Sequence, residues 1–127
     1  MNATKVIETK IARLWVDDEG IGHVVFLPNT RITLEAAKEY IAACAKQGQG
    51  RKLPVLVDLR NVISAERAAR QFLAGEEVAK ITKCSAVIVG SPLSKMFGNF
   101  FIGLNRPPFP TKLFTSEIEA IAWLKGN

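Results

Sequence analysis

Four polar residues of types that bind anions follow one another closely, at Arg60, Asn61, Ser64 and Arg67. Guanidinium groups form paired hydrogen bonds with carboxylates and phosphates, and amide and hydroxyl groups donate further hydrogen bonds. These residues come directly after Leu53–Leu59, an apolar run typical of a strand buried on both faces of a parallel sheet. Ligands of open parallel sheets bind beyond the carboxyl ends of the strands. The pattern therefore predicts a site for an anion or a protein partner.

Other residues that would lie at the same edge of the sheet extend this candidate site. The full set predicted to bind a partner or an anion is Arg31, Arg60, Asn61, Ser64, Glu66, Arg67 and Ser91. Two simpler interpretations stay open. The arginines are also explained as solvated loop residues whose ion pairs contribute only about 0–1 kcal/mol, and Ser64 as the cap of a helix that begins at about Ala65.

The chain offers little for catalysis or metal binding. His23 is the only histidine and lies in an apolar run, without a serine, cysteine or carboxylate at recognisable triad spacing. The acidic residues at 17–19 lack the alternating spacing of a calcium loop and indicate a solvated turn. Cys44 and Cys84 have no zinc-binding spacing. We therefore expect no catalytic residue, no metal and no cofactor, and a protein that is not an enzyme.

The elements that would position these residues follow the order β-β-α-β-α-β-α-β-α. Its start is an antiparallel hairpin of residues 7–16 and 21–27, with a turn that needs Gly20 or Gly22. Thr33 and Ser116 are placed to cap helices. The remaining segments are a helix to Gly48, a second from about Ala65, a strand at Ala86–Val89, an apolar-striped helix at Leu93–Leu104, a strand at Lys112–Thr115 and a final helix at Glu117–Lys125. On that final helix, Ile118, Ile121, Ala122 and either Trp123 or Leu124 are expected to face inward. This predicts an α/β fold with a mixed, mainly parallel five-stranded sheet opened by an antiparallel hairpin, and about four helices.

Length and composition agree with one domain spanning residues 1–127. The chain is 48% hydrophobic and 23% charged, which is ordinary for a globular domain. Its net charge of +5 is spread along the chain, and 8% aromatic residues without an RNP-like or helix-turn-helix pattern argue against nucleic-acid binding. No stretch is long enough to span a membrane. We expect a cytoplasmic location and a homodimer, the commonest soluble oligomer.

The segment Asp58, Leu59, Arg60, Asn61 and Val62, in this element order, resembles the STAS fold of bacterial anti-sigma factor antagonists. The resemblance extends from about Ile11 to Lys125. In that family the segment reads aspartate, leucine, serine, any residue, valine, and an aspartate-serine pair at the next helix carries the serine that a partner kinase phosphorylates. That pair falls on Glu66 and Arg67 here. The usual phosphorylatable serine is therefore missing.

Two functions follow as hypotheses. The resemblance implies a non-enzymatic regulatory or protein-interaction module, whose partner would bind around Arg60–Arg70. The alternative is a carrier of a small molecule or lipid, because related folds enclose apolar ligands. For that carrier, the aromatic residues predicted to line a pocket are Phe97, Phe100, Phe101 and Phe109. A free anionic small molecule is a further possible partner.

Overall fold

A computed structural model of the chain describes residues 5–90 and 107–127. In chain order, the elements of the described residues are β1 (Ile7–Glu8), β2 (Ala12–Val16), β3 (Gly22–Phe26), β4 (Thr30–Ile32), α1 (Leu34–Gly48), β5 (Leu53–Asp58), β6 (Val62–Ala65), α2 (Arg67–Leu73), α3 (Glu76–Ala79), β7 (Thr82–Ile88), β8 (Thr111–Phe114) and α4 (Glu117–Lys125). Ser91 and the predicted helix Leu93–Leu104, with its phenylalanines, lie outside the described residues.

Six strands form the main sheet in the order β1-β2-β3-β5-β7-β8. The first three pair antiparallel, and β3, β5, β7 and β8 run parallel to one another. The antiparallel turn between β2 and β3 uses Gly20 at φ 81°, a left-handed backbone conformation that glycine adopts without steric cost. A separate parallel pair is formed by β4 and β6.

Helices cover both faces of the main sheet. On the face that we call the α1 face, Leu14, Val24 and Phe26 pack in one core with Ala37 and Tyr40 of α1. The opposite face, the α4 face, has a smaller core in which residues of β5 and β7 meet α4. Its buried members are Ile21, Leu56, Cys84, Ala86, Ile88, Ala120 and Leu124. Alternating side chains of buried strands supply both cores, as expected for a sheet covered on two sides.

The structure confirms the predicted fold class, including the hairpin and the mainly parallel sheet. Both caps are confirmed, because Thr33 Oγ1 accepts a hydrogen bond from Ala36 N at 3.1 Å and Ser116 Oγ from Glu119 N at 3.3 Å. Among the described residues no helix has the length and apolar character that a bilayer crossing requires.

Several details differ from the sequence-based expectations, among them the start of β7, which lies at Thr82 and not at Ala86. The main sheet has six strands rather than five, because Ile7–Glu8 adds a short edge strand. Ser64 does not cap a helix: it lies within β6, whose backbone extends to pair with β4, so that α2 begins later, with Glu66 at its N-cap. On α4, Leu124 is buried as expected and Ala120 is buried as well, whereas Ala122 is exposed and Ile118 is 83% exposed.

Candidate functional site

Two helices begin side by side at the ends of the paired strands β4 and β6. The register places Arg31 opposite Ser64 and Ile32 opposite Ala65. Helix α1 begins directly after β4, with Thr33 as its N-cap, and α2 begins after β6. The pairing continues beyond the strands, since Glu66 N donates to Ile32 O at 2.9 Å. This parallel pair therefore fixes the position of the two helix starts relative to each other.

Glu66 links these helix starts. Its Oε1 accepts a hydrogen bond from the backbone N–H of Leu34, the first residue of α1, at 2.9 Å. The first N–H groups of a helix have no partner within the helix and attract negative charge. The N-terminus of α1 is therefore capped by two side chains, Thr33 and Glu66.

Arg31, on β4, and Arg67, at the start of α2, lie next to this junction. Both residues are exposed. Arg31 is adjacent to the half-buried Ser64 across the strand pair, and Arg67 is the first residue of α2. Within residues 5–90 and 107–127, neither arginine forms an ion pair. We call the surface formed by Arg31, Ser64, Glu66 and Arg67 the helix-start surface.

Arg60 lies in a different environment. Its guanidinium is paired with the Asp58 carboxylate, with Nε 3.0 Å from Oδ1 and Nη2 2.7 Å from Oδ2, and its backbone N–H donates to the same Oδ1 at 2.9 Å. The side chain passes over Gly90, where an added Cβ would lie 3.0 Å from Arg60 Cγ. The charge of Glu117, at the start of α4, also favours protonated Arg60 and helps raise its pKa, although the hydrogen bond with Asp58 is the main cause.

Arg60 thus contacts Asp58 of β5 and Gly90, just after β7, whereas Arg31 lies beside Ser64 of β6. Burial of the Asp58 carboxyl opposes its ionisation, but the hydrogen bonds and charge of Arg60 outweigh burial, so the pKa of Asp58 is lowered. Asn61 has a structural contact of its own, because its Nδ2 donates to Phe26 O at 3.1 Å and thereby joins the ends of β5 and β3. Of the described candidate residues, Arg31, Ser64, Glu66 and Arg67 lie on the paired ends of β4 and β6 and the start of α2, and Arg60 and Asn61 contact other elements.

A pairing that the spacing in the sequence did not reveal connects His23 with Asp17. His23 Nε2 lies 2.8 Å from Asp17 Oδ2, and the ring stacks on Trp15, with centroids 4.8 Å apart. Burial acts to raise the pKa of Asp17, but the hydrogen bond with His23 and the N–H groups of Ile21 and Glu19 lower it overall. The available signal was the hairpin register, which places Trp15 opposite His23 just beside the turn.

This pair does not have the geometry of a catalytic triad. In the part of the chain that the structure describes, no serine, threonine or cysteine side chain is hydrogen-bonded to His23. Asp17 is instead occupied in closing the turn, because Oδ1 accepts hydrogen bonds from Glu19 N at 2.9 Å and Ile21 N at 3.0 Å. Nor do the described His, Cys, Asp and Glu side chains include a group of three or more that could hold a metal ion.

An apolar cavity of about 120 Å³ lies between the α1 face of the sheet and the helices. Strands β3, β5, β7 and β8 form its floor, and Tyr40, Ile41 and Cys44 of α1 form one wall. Leu73 and Phe109 bound it elsewhere. A single buried water needs only about 10–15 Å³. The cavity is therefore large enough for a small organic molecule.

Comparisons with known proteins agree with this fold. The structure is similar to the crystal structure of an uncharacterized protein of the DUF3478 family with a SpoIIAA-like fold, from Shewanella loihica PV-4. The two share 16% sequence identity with a TM-score of 0.56, over 96% of this chain and 92% of that chain. This likeness confirms the fold that the anti-sigma factor antagonist resemblance implied. In sequence, residues 14–127 match the family described as Domain of unknown function (DUF7793), and no curated protein matches.

Proposed function

This chain belongs to the DUF7793 family and has a SpoIIAA-like fold, and from this premise we propose that it is a non-enzymatic interaction module that binds an acidic segment of a partner protein. The observation that carries the proposal is the helix-start surface, where Arg31 and Arg67 are exposed beside the junction of β4 and β6. The partner would contact these two arginines and the hydroxyl of Ser64.

The local charges favour an acidic protein segment over a free anion. The first N–H of α1 is already bonded to the Glu66 carboxylate, so a small anion finds that helix start occupied by a negative group. The guanidinium groups of Arg31 and Arg67 project from separate elements, and each can bind a carboxylate through two hydrogen bonds. A peptide carrying two or more acidic side chains can engage both arginines, and the net charge of +5 favours its approach.

Regulation by phosphorylation at the usual position of this fold is not part of the proposal, because Glu66 and Arg67 stand there. Cys44 and Cys84 are both free thiols, which agrees with the proposed location in a reducing bacterial cytoplasm. The homodimer and the single domain over residues 1–127 stay predictions.

Charge reversal at the helix-start surface tests the proposal. The tagged wild-type protein and the variants Arg31→Glu, Arg67→Glu and Lys52→Glu are used to enrich proteins from a lysate of the source organism. Lys52 is exposed just before β5, at the N-terminal end of that strand. Its reversal changes the net charge by the same amount. Each protein retained by wild type and Lys52→Glu is then purified, and its affinity is measured by calorimetry.

We expect an acidic partner whose affinity falls at least about tenfold for Arg31→Glu and for Arg67→Glu, and is nearly unchanged for Lys52→Glu. The affinity should also weaken as salt is raised, because exposed charges are screened. Equal binding by all four proteins would overturn the assignment of this surface.

The apolar cavity favours a second candidate function, which is the binding and carrying of a small molecule. Its described lining is formed mostly by aliphatic and aromatic side chains, as in ligand sites of many proteins. Ligand binding inside the fold and partner binding at the helix-start surface involve different residues, so they can be tested separately.

A further inference from the structure

Two hydroxyl groups of β7 face the cavity, in a floor whose other described polar side chains are His23 and Thr111. Thr82 and Ser85 of β7 both line it, and they are only 6% and 7% exposed. Within the described residues, neither side chain has a hydrogen-bond partner. By contrast, Thr111, which lies opposite Ser85 on β8, donates its hydroxyl hydrogen to Phe109 O at 3.1 Å.

Buried hydroxyl groups are normally hydrogen-bonded, because a group that loses its water without gaining another partner is destabilising. The packing around Thr82 and Ser85 therefore leaves two donors directed toward space that a ligand can enter. Strand register fixes where they lie: Ser85 is flanked by Val55 on one side and Thr111 on the other, on the α1 face. Both hydroxyls are thus carried by β7, an inner strand of the sheet, and not by a loop.

The rest of the described lining limits the chemistry of the ligand. Its other polar side chains are those of His23, Tyr40, Gln47 and Thr111, and His23 is already paired with the Asp17 carboxylate. The described lining contains no carboxylate, ammonium or guanidinium group. A charged ligand would lose its hydration there without gaining a counter-charge, which is strongly unfavourable. A purely apolar ligand would leave both hydroxyls unsatisfied. The remaining class is an uncharged molecule with an apolar body and one polar group.

We propose that the cavity binds an uncharged small molecule whose single hydroxyl or carbonyl group is hydrogen-bonded by Ser85 and Thr82, while its apolar part packs against α1. This proposal rests on the second candidate function and names the ligand class and the polar contact. With about 120 Å³, against about 150 Å³ for an engineered protein cavity that binds benzene, the cavity suits a compact molecule with one small ring. Tyr40, which is buried against Phe26, and Ile41 form the apolar side of the site.

Two probes of equal size test this assignment. Benzyl alcohol and ethylbenzene have the same number of non-hydrogen atoms. They differ only in that the hydroxyl group of benzyl alcohol is replaced by a methyl group in ethylbenzene. Their affinities are measured by ligand-observed NMR for the wild-type protein, for Ser85→Ala and Thr82→Val, and for the control Thr115→Ala, which removes an exposed hydroxyl outside the cavity.

We expect wild type and Thr115→Ala to bind both probes. For Ser85→Ala and for Thr82→Val, the affinity for benzyl alcohol should fall by about fivefold, with no loss for ethylbenzene, since one neutral hydrogen bond is removed. Binding of both probes with the same preference in all variants would overturn the polar contact and leave the carrier function standing. Absence of binding for both probes would overturn the contact and the carrier function together.

A second measurement does not depend on how the variants fold. In the wild-type complex, intermolecular NOEs should connect the CH₂ group of benzyl alcohol with the Ser85 Hβ protons and the Thr82 methyl group. NOEs from the aromatic ring protons to these two residues, with the CH₂ group near Tyr40, would contradict the proposed orientation.

Discussion

Glu66, at the start of α2, accepts a hydrogen bond from the backbone N–H of Leu34, at the start of α1, over 2.9 Å. The two residues are brought together by the parallel pairing of β4 with β6. A carboxylate that would ordinarily stabilise its own helix thus stabilises its neighbour, and α2 has no side-chain cap. The stability of α1 is therefore coupled to the correct placement of α2.

Replacement of Glu66 should destabilise the protein without affecting the sheet directly. We expect Glu66→Ala to lower the free energy of unfolding by about 1 kcal/mol, the usual effect of losing a helix cap. Glu66→Gln keeps an acceptor oxygen and should lose less. Urea unfolding followed by circular dichroism measures both, with Glu77→Ala, an exposed acidic residue of α3, as the control. A loss for Glu77→Ala equal to that for Glu66→Ala would contradict this role of Glu66.

The pair of Asp58 and Arg60 makes stability depend on pH in the acid range. Because the pKa of Asp58 is lowered in the folded protein, its ionised form contributes stability above the unfolded pKa of about 3.9. That contribution is lost as pH falls through the lower, folded pKa. The Arg60 side chain is 53% exposed, so solvent screening limits the contribution to about 0.5–1 kcal/mol.

Asp58→Asn should remove this part of the acid dependence. Between pH 6 and pH 2.5, the wild-type free energy of unfolding should fall more than that of the variant, as measured by urea titration at each pH. Asp18→Asn, at an exposed turn position, should retain the wild-type profile. Parallel profiles for wild type and Asp58→Asn would show that the pair does not stabilise the fold.

Gly90 leaves the space in which the Arg60 side chain lies while it is paired with Asp58. In Gly90→Ala the new Cβ would lie 3.0 Å and 3.1 Å from Cγ and Cδ of Arg60, closer than ordinary contact, so the arginine must shift. We expect weaker hydrogen bonds to Asp58 and a pKa of Asp58 closer to its ordinary value. NMR titration of the carboxyl carbon measures this change. Gly126→Ala, where the nearest atoms lie 3.7 Å away, should leave that pKa unchanged.

Sequence patterns identified the parts of the fold that are encoded locally. The caps at Thr33 and Ser116 were predictable because each acts on a residue three positions further along the chain. The strand β6 and the cap formed by Glu66 were not, since both depend on β4, which lies about thirty residues away in sequence. A short polar strand also has no strong periodicity, and Ser64 therefore resembled a helix cap.

The sequence could not show that Arg60 and Arg67 lie in different environments, because this too depends on the pairing of β4 with β6. Arg60 and Arg67 are near each other in sequence, but β6 lies between them and pairs with β4, which places Arg67 at the helix-start surface. Arg60 instead contacts Asp58 and Gly90. The cavity hydroxyls had no sequence signal, because Thr82 and Ser85 lie in a strand and are distinguished only by the space above them.

Cys44 gives a direct readout of how closed the cavity is in solution. Its thiol lines the cavity, and burial raises the pKa of Cys44 to about 12. Only the thiolate reacts with disulfide reagents. In a Cys84→Ala variant, which leaves one thiol, we expect labelling by Ellman's reagent at pH 8 to be at least about 100-fold slower in the native state than in urea.

The pH dependence separates burial from simple steric protection. Because burial disfavours the charged thiolate, the native labelling rate should still increase about tenfold per pH unit between pH 8 and pH 10. In urea the rate should level off near the ordinary thiol pKa of about 8.5. A native rate that levels off at the same pH as the unfolded rate, and approaches that rate in size, would mean that the Cys44 thiol is hydrated and that the cavity is open to water.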